Sequence, residues 1–292
     1  PRGWQGPLSS WQRTPSGWRR VPRGWLDKSA PWDRLPQPLD DKVATLMLDA
    51  EQLDAFGRDG QLTVPDLFSA EEIDRALEDL TQWDAEFRAS LADEERQWYL
   101  EDPSDPDSPF RKLDDPVFHR EIFRKLAMHS PLVEAAEQLI GEGVSVVFSQ
   151  VFCKAPEVGG PKPVHQDNFY FAPSDTDALL TTWIALDAAT EENGCLHYGL
   201  GSHREPVLKH TAPEDAPFNL QVPANVAKKY PMTSAPVPRG GVSIHHGNTL
   251  HQSSANRSAH PRRAVTFHFL RNDSKLVDPA LPYDPAHAVK IS

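Results

Sequence analysis

A histidine and an aspartate stand two residues apart, His165 and Asp167, within the stretch 163–171, which is rich in aromatics and reads as a strand. Strand side chains alternate with a period of two, so both would face one side and offer a nitrogen and an oxygen to a single ion. A third donor candidate, His251, follows 86 residues later, with His245 and His246 as its competitors. Two imidazoles and one carboxylate suit a facial Fe(II) centre that keeps positions open for a cosubstrate and oxygen. A His-x-Asp pair alone is a weak signal, because many strands carry one by chance. Arg262 strengthens it, standing 11 residues beyond His251 at the head of the apolar strand 264–270. A guanidinium grips a carboxylate through two parallel N–H bonds and stays charged at any working pH, as a dicarboxylate cosubstrate requires. Arg263 is the rival, and adjacent strand residues face opposite ways, so only one of the two enters the interior. Ser253, two residues after His251, shares its face and has a hydroxyl to give to the same carboxylate.

The elements that must hold these groups follow from pattern. Ser69 and Glu72 form a capping box ahead of Ile73, Leu77, Leu80 and Trp83 at helical spacing, which predicts a helix to about Phe87. Residues 90–115 are acidic and carry Pro103, Pro106 and Pro109, so they read as a long loop. Helices are expected near 117–127 and from Pro131 to Gly141. Strand signals then dominate, at 144–153, 163–171, 178–187, 194–200, 241–246 and 263–270. Helices gathered early and strands late fit a jelly roll buttressed by helices. The Pro-rich segment 204–239 is locally basic, and with 90–115 it is expected to border the open end of the barrel.

Composition bounds the partners. The chain has 292 residues, of which 39% are apolar, enough for a globular core. A net charge of −12 argues against nucleic acid. No run approaches the ~18 apolar residues of a membrane span and no secretory core is seen, so no membrane partner and a cytoplasmic location are expected. Cys153 and Cys195 read as reduced thiols. Residues 1–42 differ from the rest: Trp4, Trp11, Trp18, Trp25 and Trp32 recur every seven residues among frequent prolines, and residues 1–40 carry seven Lys/Arg against three Asp. The prolines forbid a continuous helix, so 1–42 is expected to be a disordered or artefactual tail, with the absent initiator Met fitting a fragment or a misplaced start, and 43–292 to be the domain.

In order along the chain, these segments resemble the phytanoyl-CoA dioxygenase-like enzymes, which are Fe(II)- and 2-oxoglutarate-dependent oxygenases. The resemblance is carried by 53–60 with 64–68, by 165–167, by 183–196 with 201–204, and by 246–256 with Arg262, spanning about residues 48 to 271. It implies a mainly β fold with flanking helices around a double-stranded β-helix, the jelly-roll or cupin-like core. It implies that Fe(II) is held by His165, Asp167 and His251, the last being the second histidine of a His-Gly-x-x-x-His-x-Ser pattern. His245 and His246 then line the pocket or its far side, and His268 reads as a core histidine. The resemblance further implies 2-oxoglutarate on Arg262 and Ser253, with Trp183 beside it and Gln150 on the strand before the His-x-Asp motif, and O2 as oxidant. Asp167 stands where related halogenases carry a small residue, which favours hydroxylation. Asn168 and Tyr170 are candidates for the substrate pocket, with jelly-roll core as the equal alternative. The expected activity is hydroxylation of an unactivated C–H of a small organic substrate with release of succinate and CO2. The alternative is a non-catalytic jelly roll that binds a metal or ligand. Acyl-CoA or a small metabolite as substrate, and the oligomeric state, stay open.

Overall fold

The computed structural model describes residues 12–14, 17–19, 48–212, 220–280 and 288–292. Within the tail expected at 1–42, β1 (Gln12–Thr14) and β2 (Gly17–Arg19) form an antiparallel pair. The rest of that expectation lies outside the described residues.

Helix α1 (Ala50–Asp59) starts on a capping box between Asp49 and Gln52 and ends at Gly60, whose φ of 74° is the left-handed value that glycine adopts without strain. Strand β3 (Gln61–Val64) follows. Helix α2 (Ala70–Ser90) starts on the expected Ser69–Glu72 box and buries Ile73, Ala76, Leu80, Trp83 and Phe87. The stretch 90–115 is more ordered than a loop. It holds α3 (Arg96–Tyr99), a bridge between Leu100 and Phe110, and β4 (Lys112–Asp114). Tyr99, Leu100 and Phe110 are buried and pin it, a tertiary effect that its acidic, Pro-rich composition hides. The helix expected at 117–127 is two, α4 (Pro116–His119) and α5 (Glu121–Ala127), broken at Arg120, whose guanidinium is held by Asp79 and Glu86. Helix α6 (Ser130–Ile140) stops at Gly141 as expected.

The remaining strands build two antiparallel sheets. They are β5 (Val144–Lys154) and β6 (Lys162–His165), then, after the short helix α7 (Asp167–Phe171), β7 (Leu179–Ala185) and β8 (Leu196–Gly199). Beyond α8 (Ala224–Ala227) come β9 (Met232–Ala235), β10 (Val242–His246), β11 (His251–Ser253), β12 (Arg262–Arg271) and β13 (Val289–Lys290). The larger sheet runs β13-β5-β12-β7-β10-β3 with β4 also on β5, and the smaller runs β6-β11-β8-β9. This is the expected mainly β jelly roll.

Alternation along β12 divides the interior. Val265, Phe267 and Phe269 face outward into one core with Ile73, Leu80 and Trp83 of α2, Phe123 and Leu126 of α5, and Leu132 of α6. Each such large side chain contributes about 1.5–3 kcal/mol on burial. Arg262, Ala264, Thr266 and His268 take the opposite face, between the sheets. There Trp183, Ala185 and Ala264 meet Leu196, Tyr198 and Ala235. The helices thus stiffen one side of the large sheet and leave its other side to form a lumen. Among the described residues no helix is long and apolar enough to cross a membrane.

Candidate functional site

The segments 163–171 and 246–251 come together by pairing and by turns. His251 of β11 sits opposite His165 of β6. Asn168 N donates to Gly247 O at 2.9 Å, and Gln166 Nε2 to Asn248 O at 2.9 Å. A side chain at Gly247 would collide with Asn168, so this approach requires glycine. The sequence expectation of a strand through 163–171 is corrected here. The strand ends at His165, Gln166 is extended, and Asp167 opens α7. The imidazole and carboxylate therefore converge through a strand-to-helix turn, not through the period of a strand.

The convergence is close. One ligand atom from each of His165, Asp167 and His251 lies within 4.8 Å of the others, and all three residues are buried. Both histidine Nε2 atoms stand 3.7 Å from Asp167 Oδ1. His165 Nδ1 donates to Pro163 O at 2.8 Å and His251 Nδ1 to Thr249 O at 2.9 Å. Those bonds fix both tautomers with the Nε2 lone pair turned inward, the arrangement seen for metal-bound imidazoles. Burial, with His251 and Lys162 nearby, holds His165 well below its ordinary range, and burial with His245 nearby brings His251 down to about 4. Burial alone would raise the Asp167 carboxyl, but His251, the hydrogen bond from His245 and His268 outweigh it, so it lies well below the usual carboxylate range. Neutral imidazoles beside an ionised carboxylate are the protonation states a divalent cation needs.

The second oxygen of Asp167 is committed elsewhere. Thr181 Oγ1 donates to Oδ2 at 2.6 Å and His245 Nε2 donates to it at 3.0 Å. The directions propagate outward. Having given its only proton, Thr181 Oγ1 accepts from His268 Nδ1 at 2.9 Å. His245 Nδ1 accepts from the Tyr198 hydroxyl at 3.0 Å, and that hydroxyl accepts from Ser243 at 2.8 Å. Asp167 thus presents Oδ1 alone to the two histidines. His245 and His268, expected to be pocket-lining and core residues, brace the carboxylate, and burial pushes His268 down to about 4. His246 lies on the other face of β10, 3.2 Å from Asp177. None of Thr181, Tyr198 or Ser243 had a local motif. The register of β10 with β7 brings Thr181 beside His245, and the packing of β8 brings Tyr198 to Ser243 and His245.

Arg262 enters the lumen while Arg263 turns out to a bidentate pair with Asp187 at 2.7 and 2.8 Å. Arg262 is buried, with its guanidinium carbon 5.3 Å from the centre of the Trp183 ring. Its Nε and Nη1 have no hydrogen-bond partner among the described residues. Burial brings its pKa down to about 10. A buried cation with two orphaned donors fits a missing anion. Ser253 is buried two residues beyond His251 on the same strand. Gln150 pairs with Thr266 across the sheet, and its amide donates to Asp114 at 2.7 Å. Tyr170 stands edge-on to His165 at 5.6 Å between ring centres. Asn168, expected at the substrate pocket or equally in the jelly-roll core, lies in α7 right after Asp167. It is fully buried and its amide nitrogen is spent on Thr176 O and Asn248 Oδ1, so it locks the turn. Gln166, not singled out by sequence reasoning, clamps the start of the 204–239 segment through Leu208 N at 2.8 Å. Lys228 and Lys229 in that segment are exposed, and 213–219 lie outside the described residues.

The sequence profile described as Phytanoyl-CoA dioxygenase matches residues 56–264, the greater part of the chain. The chain belongs to the phytanoyl-CoA dioxygenase family. A mouse member of the family, "Phytanoyl-CoA dioxygenase domain-containing protein 1", is 31% identical over 185 residues, covering 58% of this chain and 62% of the mouse protein. The chain thus matches less than two thirds of that relative. A "Probable alpha-ketoglutarate-dependent hypophosphite dioxygenase" of Stutzerimonas stutzeri is 28% identical over 229 residues, covering 77% of this chain and 79% of that protein. Among solved structures, EctD from S. alaskensis with bound Fe superposes with a TM-score of 0.65 at 22% identity, over 83% of this chain and 85% of that one. The epimerase SnoN, in complex with Fe3+, alpha ketoglutarate and nogalamycin RO, gives 0.63 at 19% identity, over 83% and 98%. These two share the fold of this chain.

Proposed function

We propose that this member of the family is an Fe(II)- and 2-oxoglutarate-dependent dioxygenase that hydroxylates a small organic molecule. The observation that carries the reading is the pairing of two features on the inner faces of the sheets: three metal-ligand atoms facing each other, and the unpaired buried donors of Arg262. Bound Fe(II) supplies oxygen activation at the expense of 2-oxoglutarate, which leaves as succinate and CO2. The protein's own residues do the rest. His165, Asp167 and His251 would hold the metal, and a set of only three protein ligands would leave room for cosubstrate. Arg262 receives the distal carboxylate of 2-oxoglutarate through Nε and Nη1, with Trp183 beneath its plane and the Ser253 hydroxyl as a further donor. Thr181 and His245 keep Oδ2 of Asp167 occupied, which would leave Oδ1 to ligate the metal. Tyr170, edge-on to His165, would meet the substrate, and Gln150, opposite Thr266 on the inner face, would stand on the cosubstrate's side. The complete set of ligands and the orphaned guanidinium argue against a jelly roll that only binds.

The test is succinate formation by the purified chain with and without Fe(II), 2-oxoglutarate and O2. Turnover requires all three, and Asp167→Ala and His251→Ala abolish it. Metal-independent succinate, or activity in both variants, refutes the reading.

A further inference from the structure

Strand β6 does not run flush along β11. His165 faces His251 while Lys162 faces Ser253, so a three-residue step on β6 answers a two-residue step on β11. The extra residue is a β-bulge. In a regular strand residues three apart point to opposite faces, and the bulge cancels that, turning Lys162 to the side of His165. Its Nζ lies 3.4 Å from the Tyr170 hydroxyl and 5.4 Å from the centre of that ring, which itself stands against His165. The ammonium charge is felt at the metal ligand, where it lowers the proton affinity of His165.

Two further cations, Lys112 and Arg111, act on Lys162. Both have acids: Lys112 pairs with Asp114 at 2.9 Å, and Arg111 lies 4.0 Å from Glu101. Lys162 has no carboxylate within ion-pair distance among the described residues. The Tyr170 hydroxyl has given its proton to Leu220 O at 3.1 Å and is only a distant acceptor. Asp167 is the acid whose field Lys162 feels, and its oxygens are committed to Thr181, His245 and the histidine pair. Burial is the main cause that brings the Lys162 amine down to about 8. A partly buried ammonium beside a reaction centre, with neighbouring cations and no counter-charge, is stabilised by an anion that arrives with a ligand. Arg262, on β12 of the other sheet, already accounts for the distal carboxylate of the cosubstrate.

We propose that Lys162 anchors an anionic oxyacid group, a carboxylate or a phosphorus oxyanion, on the substrate. The proposal deepens the dioxygenase reading by naming the substrate class, and it rests on that reading for the word substrate. The geometry makes Lys162 a specificity residue: the anion sits on the ammonium above Tyr170, and the bond to be oxidised projects toward the metal.

The experiment is calorimetric titration of the full chain, loaded with Zn(II) and 2-oxoglutarate, using hypophosphite and acetate as probes. Wild type binds at least one of them. Lys162→Met weakens that binding by about tenfold or more, the loss expected for one charge-assisted contact, while Lys162→Arg retains it. Lys162→Gln serves where the methionine variant does not fold. Three results overturn the proposal: wild type binds neither probe, the uncharged variant binds as wild type does, or its loss falls on 2-oxoglutarate affinity instead. Absence of 2-oxoglutarate-dependent succinate from the Fe(II)-loaded wild type, with probe binding intact, would sink the dioxygenase reading and leave the anion site standing.

Discussion

Replacing Arg262 with methionine should do two things of opposite sign. Without ligands the guanidinium is a liability: it is buried, and two of its donors are unpaired. Burial brings its pKa from 12.5 to about 10. At about 1.4 kcal/mol per unit, that is on the order of 3 kcal/mol against the charged form. The contact with Trp183 returns about 0.5–2 kcal/mol. The balance leaves the ligand-free variant at least as stable as wild type, by up to about 2 kcal/mol, or several degrees in a domain of this size. With 2-oxoglutarate the sign reverses. Losing one partner of a buried charge pair costs about 2–5 kcal/mol, so the KM for 2-oxoglutarate rises by roughly 30-fold to several thousandfold. Thermal melts of wild type and Arg262→Met, each with and without 2-oxoglutarate and Zn(II), read both effects. Wild type gains stability on adding ligand and the variant does not. A variant that melts lower without ligand yet keeps its 2-oxoglutarate response would refute the assignment and turn attention to another cation of the lumen.

Thr181→Val removes a donor to Asp167 Oδ2 and should weaken metal affinity about 10- to 100-fold while the fold persists, as read by competition with a chelating dye. His246→Ala, on the far face of β10, should leave metal content unchanged, whereas His251→Ala empties the site. The depressed histidines predict an acid sensitivity. They are neutral in the folded chain, and unfolded imidazoles take up protons near pH 6.5, so stability of the metal-free protein falls from about pH 6.5 to about pH 4. A melting temperature that stays flat across that window would contradict the buried, neutral state of His251 and His268. Deleting residues 1–42 should leave melting and turnover unchanged, and a drop of several degrees would show that the Trp repeat packs on the domain.

What the sequence revealed and what it hid divide along the reach of the interactions. His165, Asp167, His251 and Arg262 are legible because ligand chemistry restricts residue type and because each sits beside a strand pattern. Alternation within one strand, a local property, says that only one of Arg262 and Arg263 enters the interior, and the 11-residue spacing from His251 favours Arg262; the structure sends Arg263 to Asp187. The helix start at Ser69, read as a capping box with Glu72, rests on side chains three residues apart and is just as local. The failure at 163–171 is instructive. An aromatic run of this kind suits a strand or a buried short helix equally, and the choice was made by Gly247 and Asn248, about 80 residues away, which tie down the turn. The same holds for 90–115, where burial of Leu100 and Phe110 imposes order on a loop-like composition. Thr181, His245, His268 and Lys162 belong to a further class. Their roles depend on register between strands, and in the case of Lys162 on a one-residue bulge that reverses its direction. A slip of one position would send Thr181 to the helical core and Lys162 to solvent without changing a single residue type. The metal-ligand candidates are therefore written in the chain as chemistry, while the groups that brace them, and the one proposed to anchor the substrate, are written as pairing.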